Sequence, residues 1–164
     1  MPMCGIEQPE AIQIDSNLRL KKFDTIPEEA LGWYQDTELV YLVDGVKIPY
    51  TREKLEKMYG YLNQHGELYI IEALENGMFQ PIGDVSFWQE DMPIVIGDPN
   101  YRGRGLGRKI IMALIARGRE LGWDALHVDQ IYHYNTGSRK CFESCGFVVR
   151  ESTGTGNSFV LNLK

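Results

Sequence analysis

The period of the apolar positions changes several times along the chain, and each change marks an element. Leu18 to Phe23 alternates Leu18 and Leu20 with Arg19 and Lys21, the two-residue repeat of a half-buried strand, and Ile12 to Asp15 is placed to pair with it across Ser16-Asn17. Leu68 to Leu74 and Ile82 to Gln89 read as strands around Glu75-Asn76-Gly77, where the Asn-Gly pair favours a hairpin turn. Met92 to Asp98 reads as a short buried strand. From Arg108 to Leu121 the repeat turns helical, with Ile111, Leu114, Ile115 and Leu121 on one face. Ala125 to Tyr132 returns to a strand pattern, Asn135 opens a further helix, and Val148 to Glu151 with Ser158 to Leu163 make a closing hairpin across Gly154 and Gly156. Two earlier helices are predicted, one opening at Thr25-Ile26-Pro27-Glu28-Glu29 with Thr25 as cap, the other at Thr51-Arg52-Glu53-Lys54. The order is strands, two helices, three strands, helix, strand, helix, two strands, which is an α+β chain.

Between the strand at Met92 to Asp98 and the helix that follows lies Arg102-Gly103-Arg104-Gly105-Leu106-Gly107. Glycines let successive N–H groups turn into one concavity, and the helix beyond adds its positive end, so this stretch suits an anionic phosphate group. The P-loop pattern fails, because the fifth residue after Gly103 is Arg108 and no Ser or Thr follows. The dinucleotide pattern G-x-G-x-x-G also fails, since its last glycine would fall on Arg108 or Ile110. What remains is R-x-x-G-x-G at Arg102, Gly105 and Gly107. Here the sequence resembles the GNAT superfamily of N-acetyltransferases, whose signature is Q/R-x-x-G-x-G/A after the fourth strand. Asn135 to Phe147 resembles the family a second time, in the pattern N-x-x-A-x-x-x-Y-E-x-x-G-F, with Asn135, Glu143, Gly146 and Phe147 in register. The resemblance covers Asp98 to Phe147; the first half agrees in element order.

The resemblance implies the GNAT acyl-CoA N-acyltransferase fold, a central mixed, mostly antiparallel sheet flanked by helices, with two neighbouring strands splayed around the cofactor. It implies acetyl-CoA as cosubstrate and no metal. Ile94, Val95 and Ile96 would offer main-chain hydrogen bonds to the pantetheine arm. Arg102, Gly103, Arg104, Gly105, Leu106, Gly107 and Arg108 would hold the pyrophosphate, and Asn135 would hold the arm from the opposite side, although Asn is also a good helix cap. Arg139 and Lys140 would reach the 3′-phosphate, although exposed helix positions are usually just solvated. The departure is Phe142, where relatives carry a tyrosine that protonates the departing thiolate. Tyr132, Tyr134, Ser138 or Cys141 would have to replace it, unless a thiol of pKa about 8.5 leaves without help.

The reaction so implied is attack of an amine nitrogen on the acetyl thioester. Keeping a lysine-like amine neutral at pH 7 costs roughly 4 to 5 kcal/mol, so a carboxylate to take its proton is expected. Asp98 is the first candidate, at the end of the central strand, although Asp-Pro also begins turns. Asp84, Glu72, Glu90 and Asp91 are the other candidates; the first two depend on strand register, and Glu90 and Asp91 also read as an exposed turn. His133 reads as a surface residue. In the family the first helices and their linker form much of the acceptor wall, which would place Trp33, Tyr34, Asp36, Tyr41 and Asp44 near the substrate, with Asp84 beside them; aromatics next to carboxylates suit a cationic amine. The same residues also fit core packing and a solvated helix face.

Composition narrows the context. A chain of 164 residues, 43% hydrophobic and 24% charged, is expected to be one globular domain over residues 1–164. A net charge of −6 argues against nucleic acid as partner and sets off the basic cluster Arg102, Arg104, Arg108 and Lys109. No apolar run approaches the roughly 20 residues of a membrane span, Met1 to Gln13 has no secretory pattern, and three cysteines suit a reducing compartment, so a cytoplasmic location is expected. Cys141 and Cys145, four apart, read as core packing, and His127 and His133 lack the spacing of a zinc site. The terminal hairpin is a candidate homodimer edge. Three functions follow: acetylation of a small cationic amine, aminoglycoside-like or polyamine-like; acetylation of protein N-termini or lysines; and acyl-CoA sensing without catalysis.

Overall fold

The structure, a computed structural model, describes residues 6–164. Residues 1–5, which open the segment read for a leader and hold Cys4, lie outside the described residues. The elements run β1 (Ala11–Asp15), β2 (Leu18–Lys22), α1 (Ala30–Trp33), α2 (Thr37–Asp44), α3 (Arg52–His65), β3 (Glu67–Glu75), β4 (Met78–Phe87), β5 (Ile94–Ile96), α4 (Leu106–Glu120), β6 (Ala125–Tyr132), α5 (Thr136–Ser144), β7 (Val148–Ser152) and β8 (Gly156–Asn162), with a 3-10 turn at Pro99–Tyr101.

β1 to β5 form one antiparallel sheet in sequence order, and β6-β8-β7 form a second. The β3–β4 hairpin turns at Asn76 and Gly77, both at positive φ (52° and 78°), as an Asn-Gly pair allows. No strand pairing joins β5 to β6, so the two sheets part there. They meet at one end through side chains: the Asp129 N–H donates to the Asp91 carboxylate at 3.0 Å, and the His127 Nδ1–H to the Gln89 carbonyl at 3.1 Å.

Two apolar clusters follow from the two faces of the larger sheet. Leu20, Ile71 and Val85 pack with Ile111 and Leu114 of α4 and with Leu126 and Phe159 of the smaller sheet. On the other face Leu68 and Val95 pack under α1 to α3 with Trp33, Tyr34, Leu55 and Tyr59.

The predicted first helix is corrected. Thr25 caps nothing, and α1 starts only at Ala30, whose N–H donates to the Pro27 carbonyl. Pro27 disfavours helical backbone at Ile26, so a helix opening at Thr25 is blocked in its first turn. The following stretch, expected to belong to one helix or its linker, holds a separate helix, α2, capped by the Asp36 carboxylate on the N–H groups of Glu38 and Leu39. Thr51 caps α3 as the sequence implied, accepting from the Lys54 N–H at 3.1 Å.

Candidate active-site cleft

The glycine-rich segment turns as its composition predicts. Gly103 and Gly105 have φ of 73° and 76°, a conformation costly for residues with a Cβ, and Gly105 is the N-cap of α4. The backbone N–H groups of residues 103–108 donate to no group among the described residues. They lie at the positive end of a 15-residue helix, an arrangement that can receive phosphate oxygens.

The arginines of this loop are largely committed to the fold. Arg102 donates from Nε to the Ile96 carbonyl at 2.9 Å and from Nη2 to the Gly97 carbonyl at 3.1 Å, and lies 3.7 Å from the Asp36 carboxylate. It ties the loop to the end of β5. Arg108 donates to the Ser144 carbonyl at 2.8 Å and binds α4 to the end of α5. Arg104 does not line the cleft; its guanidinium lies over the Tyr101 ring at 4.9 Å.

From this loop a cavity of about 570 Å³ runs between β5 and α5, lined by Gly103, Gly105, Leu106, Gly107 and Arg108, by Ile94 to Ile96, and by Asn135, Cys141 and Phe142. A second compartment of about 290 Å³ shares Ile94, Val95, Asn135, Ser138 and Phe142 and continues between Asp91 to Val95 and Val128 to Tyr132. Together they form one cleft in the gap between the sheets. Gly107 allows α4 and α5 to approach, because a Cβ there would lie 2.9 Å from Cys141 Sγ.

The main chain of β5 faces the cleft only in part. The Ser86 N–H bonds the Pro93 carbonyl and the Gly97 N–H the Ile82 carbonyl, and by antiparallel alternation Val95 is bonded to β4 as well. The peptide groups of Ile94 and Ile96 point to the free edge, with the Ile96 carbonyl already taken by Arg102. Val95 lines the cleft with its peptide groups turned to β4, which corrects its expected main-chain role.

Asn135 does two things at once: its side chain caps α5 through the Ser138 N–H, and it lines both compartments. Lys140 lines the cleft and Arg139 does not. Phe142 is buried, packs edge-on to Phe147 and forms the cleft wall where the two compartments join.

Several candidate residues fall elsewhere. The Asp98 carboxylate accepts the Asn100 N–H at 2.9 Å and caps the 3-10 turn; it does not line the cleft, so the turn role of Asp-Pro prevails. Glu72 is paired with Arg19 at 2.7 Å on the sheet surface. Trp33, Tyr34 and Asp84, expected on the acceptor wall, are interior: Asp84 is 2% exposed and accepts hydrogen bonds from the hydroxyls of Tyr34 and Tyr59 at 2.7 and 2.8 Å. Burial pushes its carboxyl up to about 6, against the opposing pull of the two hydroxyls. The register decides this, because Asp84 stands opposite Val95 on the face that α1 and α3 cover.

The tyrosines after β6 dock α2. Tyr134 stacks on Tyr41 at 4.3 Å and on Tyr132 at 5.3 Å, and its hydroxyl donates to the Tyr41 carbonyl at 2.8 Å. The Tyr132 hydroxyl reaches the Asp44 carbonyl at 3.4 Å and its residue lines the second compartment. Gly45, at φ 78°, admits this contact, since a Cβ would lie 3.2 Å from the Tyr132 ring. Leu42 and Val43 of α2 are thereby held along the cleft.

Asp91, a candidate carboxylate that the sequence placed on an exposed turn, lines the cleft instead. Its turn folds back, with a bridge to Trp88, and sets the carboxylate at the end of the cleft with its Oδ1 accepting the N–H groups of Met92 and Asp129. Asp91 and Asp129 are the only carboxylates along the cleft among the described residues. The cleft is cationic at the loop, with Arg102, Arg108 and Lys140, and anionic at the far end.

The same fold is found in solved structures. A domain from Methanocaldococcus jannaschii DSM 2661 superposes with a TM-score of 0.75 at 21% identity, covering 90% of this chain and 99% of that one. Spermidine N-acetyltransferase from Vibrio cholerae, in complex with CoA and spermine, gives 0.71 at 16% identity over 91% of this chain and 97% of its own. AAC(6')-Ib in complex with ribostamycin and coenzyme A gives 0.68 at 20% identity over 90% and 94%. No curated protein matches the sequence. Residues 28–147, about three quarters of the chain, match the Acetyltransferase (GNAT) family, from the helix before α2 through the Gly-Phe pair after α5. The chain belongs to the GNAT acetyltransferase family.

Proposed function

We propose that the protein transfers the acetyl group of acetyl-CoA to a primary amine of a small cationic molecule. The observation that carries this reading is the polarity of the cleft: unpaired backbone N–H groups and basic side chains at one end, Asp91 and Asp129 at the other, and an apolar passage between. An anionic cofactor laid with its phosphates on residues 103–108 would extend its pantetheine along Ile96 and Ile94. Its thioester would then reach the junction at Phe142 and Asn135, facing the carboxylates. No helix among the described residues is long and apolar enough to cross a membrane.

In this arrangement the chain's residues act by holding and excluding. The loop N–H groups bind the phosphates, Arg102 keeps the loop against β5, and Leu42, Val43 and Phe142 keep water from the thioester. Holding amine and thioester together makes the transfer effectively unimolecular. Phe142 donates no proton, and none is required of it, because a thiolate of pKa about 8.5 is a competent leaving group. The acceptor class is supported by the anionic end of the cleft, and two structural neighbours are complexes with spermine and with ribostamycin. A homodimer through β7, exposed along all five residues, is the assembly in keeping with this fold.

The test is calorimetry with acetyl-CoA, followed by a CoA-release assay with 1,4-diaminobutane, ribostamycin and lysine-bearing peptides. Binding with turnover of the small amines is expected. Turnover of peptides alone assigns protein acetylation, binding without any turnover assigns a sensor, and no binding at millimolar acetyl-CoA refutes the reading.

A further inference from the structure

We propose that Asp91 is the group that takes the proton from the acceptor's ammonium, an inference that rests on the acetyl-transfer reading above. The chemistry must have a proton acceptor near the amine, and the leading candidates of the sequence are elsewhere: Asp98 caps a turn and Glu72 is paired on the surface. Asp84 is enclosed by two tyrosine hydroxyls. Of the two carboxylates along the cleft, Asp129 is exposed, whereas Asp91 is half-buried at the vertex where the sheets meet. Its orientation is fixed, because Oδ1 accepts two backbone N–H groups, from Met92 at 2.9 Å and Asp129 at 3.0 Å. Oδ2 has no partner among the described residues.

The surroundings favour a base of useful strength. Burial raises the Asp91 carboxyl, and the nearby Asp129 charge adds to this, while the two N–H bonds oppose it. The other titratable groups on the elements packed around it are Glu90 on its own turn and His127 on β6, with Arg150 and Glu151 beyond Asp129 on β7. The cleft end is also within reach of solvent. Asp129 and Gln130, around the bulge in β6, line both the inner compartment and a polar recess of about 480 Å³ on the outer face of the smaller sheet. An acceptor arriving from that side meets Asp91 and Asp129 before the thioester.

The step balances simply. R–NH3+ gives one proton to the Asp91 carboxylate, and the freed nitrogen lone pair attacks the thioester carbon. The C–S bond then breaks with its electron pair on sulfur, the N-protonated amide passes its second proton to the thiolate to give CoA–SH, and Asp91 returns its proton to water.

The test compares Asp91→Asn and Asp91→Ala with the wild type, using 1,4-diaminobutane and acetyl-CoA. The amide oxygen of Asn still accepts both N–H groups, so D91N keeps the junction and loses only the base. Expected for D91N is an acetyl-CoA Kd unchanged by calorimetry, a kcat/KM at pH 7 lower by about 100-fold, as loss of a general base gives, and a deficit that shrinks as pH rises to 9 and the free-amine fraction grows by about 100-fold. A merely structural role predicts the reverse: D91N close to wild type at every pH, with only D91A impaired, and that result overturns the proposal. Should D91N not fold, the wild-type profile decides. A kcat/KM that is flat below the amine's pKa supports a base that captures the ammonium form, and one that follows the free-amine fraction from pH 6 to 9 overturns it. If the wild type turns over no amine, both this inference and the transfer reading fall; if it turns over amines and D91N matches it, only Asp91 falls.

Discussion

Asp84→Asn isolates the cost of an ionised carboxylate in the interior. The side chain is fully enclosed between Tyr34 and Tyr59, and burial lifts its carboxyl from 3.8 to about 6. At about 1.4 kcal/mol per tenfold change in proton affinity, that difference is worth about 3 kcal/mol. The sign follows from which state holds the proton. Between 3.8 and about 6 the native protein binds it and the unfolded chain does not, so this contribution to stability is fully present below 3.8 and is lost as pH rises through about 6. The amide of D84N is neutral throughout, while its oxygen still accepts the tyrosine hydroxyls. The assay is urea unfolding of both proteins, followed by far-UV circular dichroism, at half-unit steps from pH 4 to 7.5. Any fixed penalty for the amide group cancels in the difference. The wild type should lose about 2 to 3 kcal/mol relative to D84N across that range, with most of the change spread between pH 4 and about 6. A difference constant to within about 0.5 kcal/mol would show that Asp84 does not carry a buried charge at neutral pH.

Three other outcomes are expected. Gly97→Ala would drive a Cβ into the Trp33 side chain, which is itself buried, and should lower stability by about 1 to 3 kcal/mol in thermal unfolding; an unchanged midpoint would mean that α1 yields freely. Arg102→Ala should raise the acetyl-CoA KM by about tenfold through loss of its two bonds to the Ile96 and Gly97 carbonyls, and Arg102→Lys should be nearly as weak, since it lacks the planar fork whose Nε and Nη2 meet the two carbonyls; recovery by Lys would instead mark a simple charge on the phosphates. Phe142→Tyr should leave kcat within about threefold, because the thiolate leaves unaided, and a tenfold gain would show that an acid was missing.

The fold was legible wherever the signal was local. Asn76-Gly77 named its hairpin, Thr51 its helix, and the spacing of Ile111, Leu114 and Ile115 the buried stripe of α4, because each depends on the backbone within a few residues. The α1 to α2 region was not, because two local signals conflict there. Thr25 followed by acidic residues looks like a helix start, and Pro27 forbids it; Asp36, read as a substrate contact, is spent on capping α2 and facing Arg102.

The two ends of the cleft differ in legibility for a physical reason. The loop end is built from main chain, and main-chain conformation is written in glycine positions: Gly103 and Gly105 can be read from spacing alone, since few other residues take their φ at low cost. The carboxylate end is built from side chains, whose placement depends on which strand lies opposite and by what register. Asp84 sits across from Val95, and a slip of one residue would turn it to the other face of the sheet. Asp91 reaches the cleft only because a turn with no periodicity of its own folds onto β6, through a bond to an N–H 38 residues away. A glycine-built loop is therefore far more legible in sequence than a cluster of side chains, and the two ends of this cleft show the asymmetry. The arginines sharpen the point: conspicuous in sequence as phosphate ligands, Arg102 and Arg108 bind carbonyl groups, so on the proposed reading an anion would be held first by the N–H groups they keep in place.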